Sequence, residues 1–331
     1  MSKPAASGLT LAASVEVTPK QIEKDPNLLA RIPPATRTYL VDLGTLDDRA
    51  WADVVTIIMR AGLEPVPHIA ARRLKSREQL AARLRAMQDA AGVRDALVIA
   101  GGAGVPEGPF ASSMDALETG LFGDHGFTRV GVAGHPEGNP DISGDDIAKA
   151  LDWKQTFANE SGIDMRLVTQ FGFDAEAAIA WAENVKAAGI NLPVHLGVAG
   201  PASIKSLLKY AAMCGVRASS AFAFKRGASI ASLLTSYSPE PFVAPVEAHV
   251  AAQVQATTSL PTPGELTAER APPSIQQLHV FPFGGLAETA RWLTERGSWD
   301  VEARAAMAGL ASTPEPGATT ARETAVPGGA A

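Results

Sequence analysis

The sequence predicts an α/β fold built as a single closed (β/α)8 barrel, and three observations predict it. Short runs rich in branched apolar residues alternate eight times with amphipathic helical patterns. Helical runs open on residues able to cap a helix, at Asp47, Ser76 and Asp174. Small or polar residues follow the apolar runs, as expected where barrel strands hand over to site-bearing loops.

The elements follow in order. Strands are expected at residues 11–17, 38–42, 65–69, 96–100, 129–133, 165–169, 194–198 and 277–281, from their apolar, β-branched content. Helices are expected at 19–30, 47–61, 76–91, 114–122, 144–159, 174–188, 202–214 and 286–295, from their apolar spacing. Eight such pairs favour a TIM barrel over an open sheet. Residues 216–274 break the repeat as an insertion between strands seven and eight, with helical pieces at 229–235 and 244–256 and a Pro/Thr-rich run at 261–273. Insertions on this face usually shape the substrate pocket. The barrel is expected over residues 1–300. Residues 301–331 form an extension that turns Thr/Pro/Gly/Ala-rich and aperiodic from about 312, and is expected to be disordered there.

Composition removes several classes. A net charge of −6 leaves no basic footprint, so nucleic acid is not an expected partner. The single cysteine, Cys214, excludes an internal disulfide and any multi-cysteine metal site, and no metal is expected. Its helical setting suits a buried, inert thiol. No run is apolar enough to span a bilayer, and residues 1–10 lack the order of a signal peptide, so the expectation is a cytoplasmic chain with no membrane partner. Such barrels often form homo-oligomers, and nothing in the sequence fixes a symmetry.

The candidate site residues lie at the strand ends. Val168 to Asp174 set the amide of Gln170 where the sixth strand gives way to a helix. In Ser14-Val15-Glu16-Val17-Thr18 the alternation turns Glu16 inward near the top, where desolvation is expected to raise its pKa toward that of a general acid. A surface glutamate on a ragged first strand is the alternative. His68 closes strand three, and either a packing or a site role is open to it. Gly101 and Gly102 end strand four, where backbone N–H groups can approach a phosphate or ring, or simply form a turn. Gly131 to Glu137 end strand five and bring His135 to the rim; their spacing does not match a dinucleotide fingerprint. Lys154 within helix five either reaches a phosphate or is a solvated charge. After the last strand, Phe283 stacks on a planar ligand or packs in the core.

In this order these residues resemble the methylenetetrahydrofolate reductase family of flavin-dependent barrels, from about Ser14 to Leu293. The likeness is strongest from Val168 to Arg217, through Thr-Gln-Phe-Gly-Phe-Asp, the spacing to Gly197 and the helix ending in Lys209 to Arg217. The resemblance implies interconversion of 5,10-methylenetetrahydrofolate and 5-methyltetrahydrofolate, with hydride passing from NADH or NADPH to bound FAD and on to the folate. It implies Glu16 as the acid that assists opening of the folate ring, and Gln170 as a hydrogen-bond partner of the folate. Tyr210 matches a family phenylalanine that packs on the nicotinamide, and His68, His135, Lys154, Gly101 and Gly102 would line the flavin. Departures accompany the match: Ala103 stands where the family commonly has aspartate, His135 where it has tyrosine, and Gly285 where it has arginine. A flavin-free reductase with direct hydride transfer, and a barrel that binds folate or flavin without turnover, are the alternatives.

Overall fold

A computed structural model describes residues 9–213, 236–258 and 272–299. Eight strands form the barrel: β1 (Ala13–Val17), β2 (Arg37–Leu40), β3 (Glu64–Ala70), β4 (Asp95–Ile99), β5 (Arg129–Gly134), β6 (Asp164–Gly172), β7 (Val194–Ala199) and β8 (Ile275–Phe281). Every neighbouring pair is parallel, and β8 pairs with β1 to close the cylinder, as the repeated strand-helix pattern predicted.

The alternation along each strand divides its residues between two environments. Val15, Val17, Val98, Val130, Val132, Val198 and Val280 pack outward against Ile58, Leu84 and Leu293 of the surrounding helices, in one continuous core. Each such side chain contributes roughly 1.5–3 kcal/mol on burial. The interior is different. Low in the barrel, buried Asp95 meets Arg166 at 2.8 Å, Arg129 at 3.3 Å and Arg37 at 3.7 Å, while Arg166 Nε donates to Tyr39 Oη at 3.0 Å. The charges are paired, which is what makes their burial tolerable.

The helices are α1 (Pro19–Lys24), α2 (Asp48–Arg60), α3 (Arg77–Ala91), α4 (Ser113–Leu117), α5 (Leu121–Asp124), α6 (Gly144–Ser161), α7 (Ala175–Ala187), α8 (Ile204–Met213), α9 (Glu240–Thr258) and α10 (Leu286–Glu295). Asp47, Ser76 and Asp174 cap α2, α3 and α7 through their side chains. Two expectations were too long. The helix at 19–30 stops at Lys24, before Asp25-Pro26, and a short 3-10 turn follows at Leu29–Arg31. The helix at 114–122 is two short ones, separated by Gly120 at φ +74°, a left-handed conformation that an α-helix cannot continue through.

The insertion differs as well. Its helix begins at Glu240 rather than 244 and runs through Pro245. A two-residue antiparallel pair, Ala202–Ser203 with Ser236–Tyr237, precedes it. The helical piece at 229–235, Cys214, most of the Pro/Thr-rich run and the extension at 301–331 lie outside the described residues.

Candidate active site

The upper half of the barrel opens into a cavity of about 460 Å3. Four of the residues singled out from the sequence share its lining: Glu16, His68, His135 and Gln170. Leu97, Ile99, Val168 and Leu196 supply apolar wall, and Phe242 of α9 reaches in from the insertion, as expected of a segment on this face. The cavity joins the inward carboxylate to the rim amide, so both can touch one ligand.

Glu16 sits between two imidazoles. Its Oε1 lies 3.2 Å from His279 Nε2 and 3.5 Å from His68 Nε2. The other ring nitrogen of His279 lies 3.0 Å from Ser14 Oγ, whose hydroxyl donates to Leu278 O at 3.3 Å. With that proton committed, Ser14 accepts from His279 Nδ1–H, and His279 Nε2 and Glu16 have one proton to share. Burial raises the Glu16 carboxyl, but the hydrogen bond to His279 and the charges of His68 and His279 outweigh it, and the group lies below its ordinary value. The raised value expected from the sequence counts desolvation alone, because the two histidines come from distant strands. His68 is itself pushed down, by burial first; the Glu16 carboxylate works against this and His279 adds to it. His279 was passed over in the sequence, although Gln277, His279 and Phe281 alternate along β8 as Ser14 and Glu16 do along β1.

The remaining residues fall behind or beside the lining. Lys154 is buried in α6, its Nζ donating at 2.8 Å to the carbonyl of Ala133, a wall residue. Burial lowers its pKa to about 8, so it is not a solvated charge. His135 is lowered to about 4 by burial and by the charge of Lys154. Tyr210 and Phe283 stack on each other at 4.6 Å and 13°, and Phe283 lies 5.7 Å from Phe281, the one of the three that faces the cavity. Gly101, at φ +85°, turns the chain tightly against Ala70, and neither it nor Gly102 is part of the lining. Arg72 ties their loop back, donating to Ala111 O at 2.7 Å and Ala103 O at 3.4 Å.

The family resemblance implies FAD, and the described residues suit only part of that cofactor. The apolar walls suit a flat ring. The diphosphate finds no partner: the described lining contains no Lys or Arg, and carries Glu137 and Asp174 as well as Glu16. The start of α6 at the mouth, where Gly144 and Ile147 line the cavity, holds Asp145 and Asp146 in its first turn, opposing the anion affinity of a helix N-terminus. These residues do not fit whole FAD.

The family model described as methylenetetrahydrofolate reductase matches residues 10–225. The chain belongs to this family. It is 38% identical over 89 residues to methylenetetrahydrofolate reductase 1 of Schizosaccharomyces pombe, covering 27% of this chain and 14% of that protein. To 5,10-methylenetetrahydrofolate reductase of Pectobacterium carotovorum subsp. carotovorum it is 30% identical over 173 residues, covering 51% of this chain and 55% of that protein. These matches span little more than half of the bacterial relative and far less of the yeast one. Among solved structures, a dihydropteroate synthase from Thermus thermophilus matches 88% of this chain and 92% of that chain with a TM-score of 0.42 and 14% identity, a likeness too distant to bear on the site. Among the described residues no helix is long and apolar enough to cross a membrane, and no cluster of side chains could hold a metal ion.

Proposed function

We propose that this methylenetetrahydrofolate reductase family member is an oxidoreductase that interconverts 5,10-methylenetetrahydrofolate and 5-methyltetrahydrofolate, with NADH or NADPH as the hydride donor. The observation that carries the reading is a single cavity lined by Glu16, backed by His279, and by Gln170.

The chemistry needs a proton at the departing nitrogen of the folate five-membered ring, so that the ring opens to an iminium that can accept hydride. Glu16 is placed to deliver it. In the open cavity Glu16 lies below its ordinary value and stands as a carboxylate, with His279 Nε2 at 3.2 Å. A ligand that covers Glu16 strips its water, and desolvation favours the protonated carboxyl over the carboxylate. Binding therefore moves the proton toward Glu16, where the ring nitrogen takes it. In the oxidative direction Glu16 accepts the proton back. Gln170 holds the planar ring by its amide, and Leu97, Ile99 and Val168 exclude water beneath it.

FAD is what the family resemblance implies, and no step is routed through it because the diphosphate has no partner in the described lining. Hydride passes directly from the reduced nicotinamide to the bound folate. The test is oxidation of NADH or NADPH by the purified chain with 5,10-methylenetetrahydrofolate, read beside its visible spectrum. Folate-dependent turnover by a colourless protein is the expected result. A flavin spectrum at one per chain would return the hydride path to flavin, and no turnover with either nucleotide would overturn the reductase reading.

A further inference from the structure

Gln170 does not continue the regular alternation of β6, and the reason lies in two neighbours. Pairing between β6 and β7 runs Val168 to His195 and then Phe171 to Gly197, so β6 spends three steps where β7 spends two. The extra residue is a β-bulge, and it gives the inward position to Phe171 while turning Gln170 out to the exposed rim of the cavity. The hydroxyl of Thr169 closes the bulge: it accepts from the Gly197 N–H at 2.8 Å and donates to the Gln170 carbonyl at 3.0 Å. Thr169 is 2% exposed, so water does not compete for either bond. Gly197 is required opposite, because a Cβ there would run into the carbonyls of Thr169 and Gln170. Gln170 is then fixed at its far end as well, its Oε1 accepting from Phe171 N–H at 3.3 Å. That bond sets the orientation of the amide, leaving Nε2–H2 as the edge free to donate.

We propose that Thr169 is a positioning residue that acts through Gln170, and that the edge it helps present is a donor, matched to a carbonyl oxygen or ring nitrogen acceptor of the bound heterocycle. The inference rests on the folate reading above. Removing the hydroxyl frees the bulge to slide, and Gln170 leaves the place where it meets the ligand in both ground and transition states. Such a loss appears in KM rather than kcat.

The experiment compares Thr169→Val, which keeps the shape and loses the hydroxyl, with Thr169→Ser, which keeps the hydroxyl, each alone and in a Gln170→Ala background. The expected result is a rise in folate KM of about tenfold for Thr169→Val, as loss of one bond implies, with kcat within about threefold. Thr169→Ser should stay near wild type. In the Gln170→Ala background Thr169→Val should add nothing further, since a residue acting through Gln170 has nothing left to position. Unchanged KM in Thr169→Val, equal damage in Thr169→Ser, or a penalty that persists without Gln170 would each overturn the proposal. If Thr169→Val does not fold, Thr169→Ala takes its place in the same cycle. If the wild-type chain turns over no folate, the substrate reading fails separately, and amide exchange decides for Thr169. Faster exchange at Gly197 and Phe171 in Thr169→Val but not in Thr169→Ser supports the clasp, and equal exchange overturns it.

Discussion

Glu16, His68, His135 and His279 all line one cavity, and the first three respond to acidification in the same direction. His135, lowered by burial and Lys154 to about 4 from an unfolded value of 6.5, binds its proton more readily in the unfolded chain between those limits. His68 is lowered too, through burial, so it acts in the same direction. Stability therefore rises with pH through this window and is lost as pH falls from about 6.5 toward 4. Glu16, below its ordinary 4.5, adds stability that is present above that value and lost as pH falls through its folded pKa. The melting temperature should drop between about pH 7 and pH 4.5, and His135→Asn should remove part of the drop. An equal drop in the variant would show that His135 titrates without cost. At this scale the sequence exposed Glu16, because valines flank it on a strand whose outer face must be apolar. It did not expose the groups that set the Glu16 proton, because His279 and His68 come from β8 and β3, and only closure of the barrel brings them to 3.2 and 3.5 Å from Glu16 and sets His279 3.0 Å from Ser14.

Among the elements, β6 and β7 carry the site's geometry. The side chain that Gly197 lacks is the space into which the β6 bulge settles. Gly197→Ala should lower the midpoint of denaturant unfolding, at a cost of about 1–3 kcal/mol typical of overpacking, and raise the folate KM as Gln170 shifts. An unchanged midpoint would mean that β7 yields freely and that the bulge is not pinned. Helix starts were legible wherever a side chain supplies the cap, as at Asp47, Ser76 and Asp174. Helix ends were less so: Asp25-Pro26 stops α1, and the left-handed Gly120 separates α4 from α5, inside runs whose apolar spacing continues. The bulge itself was not legible, since it depends on what faces Thr169 from the next strand.

The whole molecule is a barrel of two interiors. Its lower half is filled by Asp95 with Arg166, Arg129 and Arg37, and its upper half is left open above Glu16. Burial works against the charge of Arg166, yet Tyr39 and Asp95 raise its pKa, so Arg166 stays charged at any working pH. Tyr39 links the halves, its ring 4.3 Å from that of His279. The eight-fold repeat made this architecture readable from the chain. The charged floor was hidden, because its members sit at the starts of strands that otherwise read as apolar. The proposed chemistry depends on Glu16 acting as the acid of the open upper half. The most direct measurement compares folate binding and NAD(P)H-dependent folate turnover in wild type and Glu16→Gln. Binding within a few-fold of wild type with turnover reduced about 10²–10⁴-fold is the predicted result. Turnover that survives the substitution undiminished would contradict it, and would assign the proton to another group.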